Sequence, residues 1–210
     1  MLRAFLDRRL YRRPFEGRSA TRYATSERPA FGDFDDRLLD SLAGPIERSR
    51  TFLDVGAGPA VVSRRAAERW PNLAVIAVEP SRDFAIDHPS IQVVRAFAED
   101  LPLADGSIDV AVCLSSIRHV RDRAATFREL RRVATGKLVI VELDPTASAA
   151  RIANHANAIA GPLLRAAFGP LVVRTAPPVE AIESVAIAAG WHREVLRDDP
   201  VQPVYILELV

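Results

Sequence analysis

From residue 51 onward, short runs of Val, Ile and Leu alternate with segments of helical period, and nothing else in the chain constrains its fold so tightly. Alternating strand and helix patterns mark a parallel α/β sheet, because each parallel strand needs a crossover that a helix supplies. The pattern predicts strands at 51–55, 73–78, 91–94, 108–114 and 137–142, with two more at 193–197 and 204–210. Helices are predicted at 60–70, 124–134 and 179–189, with a longer Ala-rich one over 149–168. Gly190 is a good stop for the helix before it. The crossover over 81–90 leaves room for barely two helical turns, which Pro89 would end. Residues 1–50 read as helical, with breaks at Pro14, Pro29 and Pro45. The expectation is one domain over 1–210: a cap at 1–50, a ligand-binding half at 51–145, and a substrate-side half at 146–210 that ends in antiparallel strands.

Where the first strand meets the first helix stands Phe52-Leu53-Asp54-Val55-Gly56-Ala57-Gly58-Pro59-Ala60. Glycines there let the backbone approach a ligand, and the free N–H groups of a helix start point outward. Pro59 suits a first helical turn, where its missing N–H costs nothing. A dinucleotide site would want a third glycine at position 61, which is Val61. Asp54, two residues before the first glycine, suits an ammonium group better than a pyrophosphate. Glu79 closes the second strand in Val75-Ile76-Ala77-Val78-Glu79-Pro80-Ser81, where a carboxylate can accept hydrogen bonds from ribose hydroxyls. The alternative is a solvated strand-end carboxylate.

Composition narrows the function classes. A net charge of +1 gives no bulk electrostatic case for nucleic acid. The charge is uneven, since Arg3, Arg8, Arg9, Arg12, Arg13, Arg18 and Arg22 accompany Leu2, Phe5, Leu6 and Leu10 at helical spacing. Such a basic amphipathic helix suits an anionic membrane surface, RNA or an organelle presequence, or simply lies on the body of the protein. Lys137 is the only lysine, so the arginines reflect genome composition before selected phosphate contacts. No apolar run approaches the roughly 20 residues of a membrane span. The single Cys113 excludes an internal disulfide and suits a reducing cytoplasm; within an apolar strand it reads as core, not nucleophile. The histidines and the cysteine show no metal spacing.

Four stretches in order carry a family resemblance: Leu53-Asp54-Val55-Gly56-Ala57-Gly58; Val78-Glu79-Pro80-Ser81; Ala98-Glu99-Asp100-Leu101-Pro102 running to Ile108-Asp109; and Phe127-Arg128-Glu129-Leu130-Arg131-Arg132-Val133. Over about 51–143 the chain resembles a class I S-adenosylmethionine (SAM)-dependent methyltransferase, of the branch that includes the ubiquinone/menaquinone-biosynthesis enzymes. The resemblance implies a Rossmann-like, mostly parallel seven-stranded sheet with helices on both faces, and SAM as cofactor. It would set Asp54, Gly56, Ala57 and Gly58 around the methionine part, Glu79 on the ribose and Pro80 against the adenine. Ala98 and Glu99 would meet the adenine edge, Leu114 and Ser115 would line the floor near the sulfonium, and Tyr23 would close over the carboxylate. Three departures stand out. Ala60 replaces a frequent third glycine, and its small size predicts little loss; Phe97 replaces an aspartate that caps the adenine amino group; and the crossover after Glu79 is short. Phe84 would fill the gap that this leaves, or serve as a core aromatic.

Methyl transfer from a sulfonium is a direct displacement, so alignment of donor and acceptor dominates. A base is needed only where the acceptor must lose a proton. His119, in Leu114-Ser115-Ser116-Ile117-Arg118-His119, follows the fourth strand's carboxyl end and is the candidate base, with a packing histidine as the alternative. His155 is a weaker substrate-side candidate, explained equally by a solvated helix face, and His88 and His192 have no functional case. The N-terminal helices and 146–176 are expected to form the pocket of a small-molecule acceptor. Two rivals are a non-catalytic scaffold of the same fold and an RNA methyltransferase using the basic N-terminal helix.

Overall fold

The structure is a computed structural model, and it describes residues 31–84, 88–159 and 161–210. The Arg-rich segment 1–22 and Tyr23 lie outside the described residues. Among the described residues two short helices, α1 (Phe34–Ser41) and α2 (Ala43–Glu47), precede β1. Then come β1 (Thr51–Val55), α3 (Val61–Arg69), β2 (Ala74–Val78), β3 (Gln92–Val94), β4 (Ile108–Leu114), α4 (Arg123–Val133) and β5 (Ala134–Leu143). After these follow α5 (Ala149–Asn157), α6 (Pro162–Ala167), a π-helical turn (Phe168–Val173), α7 (Val179–Ala188), β6 (Arg193–Asp198) and β7 (Val204–Leu209).

The seven strands form one sheet in the order β3-β2-β1-β4-β5-β7-β6. The first five are mutually parallel, and β7 runs antiparallel to both β5 and β6. Strand residues alternate between two apolar layers, as the two-residue period demands. Phe52, Val75, Val112 and Val139 pack with α1 and α3 on one face. Leu53, Cys113, Ile140 and Leu207 pack with Phe127 and Leu130 of α4 and Ile182 of α7 on the other. Helices on both faces explain why β1 and β4 read as nearly continuous apolar runs.

Several expectations are corrected. The long helix expected over 149–168 is two helices, because Gly161 sits at φ +92° and Pro162 starts α6. Pro59 precedes α3 by two residues instead of opening it, so the helix N-cap is Ala60. The solvated face proposed for His155 is also wrong: the ring is buried, stacked on Phe168 at 4.7 Å, and its Nδ1 lies 2.7 Å from Gln202 Oε1. Gly190 does end α7, with a left-handed φ of +92° and the paired bonds Trp191 N–H to Ala186 O and Gly190 N–H to Ile187 O.

Candidate functional site

β1 pairs with β2 on one side and with β4 on the other, so the chain reverses its direction of strand addition between β1 and β4. Open α/β sheets bind ligands outside the carboxyl ends of the strands at such a point. A cavity of about 310 Å³ opens there, at the small end of the range for small-molecule sites. Asp54, Gly56, Ala57, Gly58, Glu79, Pro80, Ala98, Glu99, Leu114, Ser115 and His119 all line it. Of the site residues expected from the sequence, Tyr23 alone lies outside the described residues. Asp54, Glu79 and Glu99 give the lining an acidic balance against the one guanidinium of Arg121.

The glycine turn is built by backbone pairing. Gly56 and Ala57 both donate their N–H groups to Val78 O, at 2.8 and 3.1 Å. Gly56 sits at φ +71°, and a Cβ placed there would come within 2.5 Å of Ser116 Cβ. Ser116 is fixed in turn, its hydroxyl donating to Val55 O at 2.6 Å. Gly58, at φ +54°, faces open space, as a residue over a ligand site should. Asp54 shares a face of β1 with Phe52, and its buried carboxylate accepts from Ser63 Oγ of α3 at 2.7 Å.

Glu79 is no solvated strand end. Its carboxylate is buried and accepts Gly58 N–H on Oε2 and Ser81 N–H on Oε1, both at 2.8 Å. Burial raises its pKa, and the Ser81 and Gly58 N–H groups oppose that rise. Each carboxylate oxygen still has a lone pair for a further donor. Glu99 plays a similar part across the cavity, where its Oε1 accepts the N–H groups of Arg121 and Asp122 at 2.6 and 3.1 Å. Phe97 is half exposed in the wall, with the Arg121 guanidinium 4.4 Å from its ring centroid. Phe84 is buried and also lines the cavity, so it is core and wall at once.

The floor is the end of β4. Leu114 is buried, and Ser115 takes a left-handed φ of +52° with its N–H bonded to Val141 O at 2.7 Å. His119 stands at the cavity mouth. Desolvation by the walls and then the neighbouring Arg118 charge push its pKa down; the residue is exposed, so solvent offsets part of that desolvation. Arg118 itself turns away. Its buried guanidinium lies 3.9 Å from Glu142 and donates to Val172 O at 3.1 Å, which ties the 115–120 loop to β5 and the π-helical turn. Cys113 is buried with its thiol pKa raised by desolvation, as a core residue requires.

Sequence reasoning missed Ser116 and Arg121. A small residue facing the first glycine was the only available signal for Ser116, and Arg121 offered none beyond its place ahead of α4. Among the described residues, none of 31–50 or 146–176 lines this cavity.

The family model described as "Methyltransferase domain" matches residues 53–141, the stretch that supplies the lining from Asp54 to Thr126. Malonyl-[acyl-carrier protein] O-methyltransferase of Geobacter sulfurreducens is 33% identical over 61% of this chain and 50% of its own length. Dimethylglycine N-methyltransferase of Parasynechococcus marenigrum is 32% identical over 60% of this chain and 49% of its own. The chain thus spans about half the length of these curated relatives. A crystal structure of a SAM-dependent methyltransferase from Aquifex aeolicus superposes with a TM-score of 0.68 at 13% identity, covering 90% of this chain and 95% of that one. The superposition shows that this chain shares the Rossmann-like fold of that methyltransferase.

Proposed function

We propose that the chain transfers a methyl group from SAM to a small-molecule acceptor by direct displacement. The observation that carries this reading is Glu79, a buried carboxylate that joins the glycine turn to the loop after β2 beneath an open Gly58. The donor set fits the cofactor. Glu79 retains acceptor capacity for ribose hydroxyls, and an acidic lining suits a ligand with an ammonium and a sulfonium better than one with phosphates. SAM, when bound, supplies a methyl carbon activated by its sulfonium.

The chain's own residues bind and align. Asp54 orders the start of α3 through Ser63 and sets negative charge beside the turn, while Gly56, Ala57 and Gly58 let backbone approach the amino-acid end. Pro80, Ala98 and Glu99 form the base end, and Leu114 and Ser115 the floor. Good alignment can account for about 7–11 kcal/mol of barrier reduction. His119 at the cavity mouth accepts a proton where the acceptor must lose one.

The relatives' names specify an oxygen acceptor in one case and a nitrogen acceptor in the other, and a fold does not choose between them. The finer likeness to the ubiquinone/menaquinone branch rests on the four ordered motifs and directs the first acceptor screen. Among the described residues no helix is long and apolar enough to cross a membrane. The lone buried thiol fits our reading of a cytoplasmic enzyme.

Calorimetry with SAM and with S-adenosylhomocysteine tests the proposal. Saturable binding of both is expected, and binding of neither overturns it. Glu79→Ala should weaken both by the worth of a charged hydrogen bond, about 1.5–3 kcal/mol.

A further inference from the structure

Phe97 is, among the described residues, the one large apolar side chain that is both 48% exposed and part of the cavity wall. Exposed aromatic surface at a binding site invites a flat partner, since ring faces attract both π systems and cations. A cation is already in place, with the Arg121 guanidinium carbon 4.4 Å from the ring centroid. Both residues are held by their backbones. Phe97 O accepts Asp100 N–H at 3.1 Å, and Arg121 N–H is bound to Glu99 at 2.6 Å. The pair is thus prepositioned by two loops, the one after β3 and the one before α4.

The cavity's carboxylates each already accept hydrogen bonds from the protein itself. Asp54 holds Ser63, Glu79 holds Gly58 and Ser81, and Glu99 holds Arg121 and Asp122. At position 97 itself the side chain offers only a ring face. We propose that Phe97, backed by Arg121, holds the adenine base of the cofactor through its face, in place of a carboxylate on its amino group. This rests on the cavity being the SAM site. Face contact needs no hydrogen-bonding edge, because every base presents a π surface. Phe97 and Arg121 are therefore binding residues for the base, with no part in aligning the methyl group.

The test compares S-adenosylhomocysteine with 5′-methylthioadenosine, which keeps base and ribose but lacks the amino-acid end. Phe97→Ala should weaken both by about tenfold, and Phe97→Tyr should stay within about twofold of wild type for both. Because Phe97 is half exposed, the ligand-free melting temperature of Phe97→Ala should match wild type. Phe97→Trp should show fluorescence quenching on ligand addition beyond any change from Trp70 and Trp191. Unchanged affinities in Phe97→Ala, or no added quenching in Phe97→Trp, overturn the inference. So does a loss confined to S-adenosylhomocysteine, which would assign Phe97 to the amino-acid end. A melting temperature lowered in both Ala and Tyr variants would make its role structural. If wild type binds neither compound, the cofactor reading fails as well, which separates the two failures.

Discussion

Positions within the glycine turn are unequal, and the difference lies in what surrounds each backbone. Gly56 combines a positive φ with a side chain already occupying the space of a Cβ. Gly56→Ala should therefore destabilise by about 2–5 kcal/mol, the sum of left-handed strain and overpacking. Ala60 is the reverse case, a residue with a Cβ held at φ +54°. Ala60→Gly should stabilise by about 0.5–1 kcal/mol, strain relief less the added freedom of the unfolded chain. Urea titration of both variants checks this contrast in sign. The sequence made Asp54, Gly56, Gly58 and Glu79 legible because their chemistry is tied to a strand end and a helix start. It did not reveal the strain at Ala60, since that depends on where α3 begins, and Pro59 pointed two residues too early.

At the scale of elements, β1 and β4 were predicted to the residue because both of their faces are covered, leaving long apolar runs with clear ends. β5 starts earlier than expected, at Ala134, because Thr135 and Gly136 enter through an irregularity in its pairing with β4 that apolar patterning does not mark. Composition hid the break in the Ala-rich stretch, although Gly161-Pro162 signalled it. The end of α7 offers an isolated test of backbone chemistry. A Cβ at Gly190 would meet nothing closer than Arg131 Nε at 4.0 Å, so Gly190→Ala carries only the left-handed penalty. The expected loss is about 1 kcal/mol by chemical denaturation, with cofactor affinity unchanged.

At the scale of the molecule, α1 is joined to the segment between β6 and β7 by an ion pair. Arg37 donates to Asp199, which also accepts the N–H groups of Val201 and Gln202. Burial alone would raise the Asp199 pKa; the Arg37 bond and the two backbone donors outweigh it and hold the group below its ordinary 3.8. A carboxylate depressed on folding stabilises the protein fully above its unfolded value, and that contribution disappears as pH falls through the folded value. Asp199→Asn should therefore lower the melting temperature at pH 7, with the gap to wild type closing as the pH is taken below about 3.8. The cavity lining was legible because its residues cluster in sequence. The contacts of Arg118 with Glu142 and Val172, and of His155 with Gln202, were not, because the partners sit far apart in the chain.

β7 comes last of the seven strands in sequence yet lies inside the sheet, fully buried between β5 and β6. β6 therefore leaves the ribosome before the strand that joins it to the rest exists, and the paired edge of β5 stays open until residues 204–209 arrive. Closure of the sheet is a long-range event, so a nascent chain of this kind passes an aggregation-prone stage between the synthesis of β6 and that of β7.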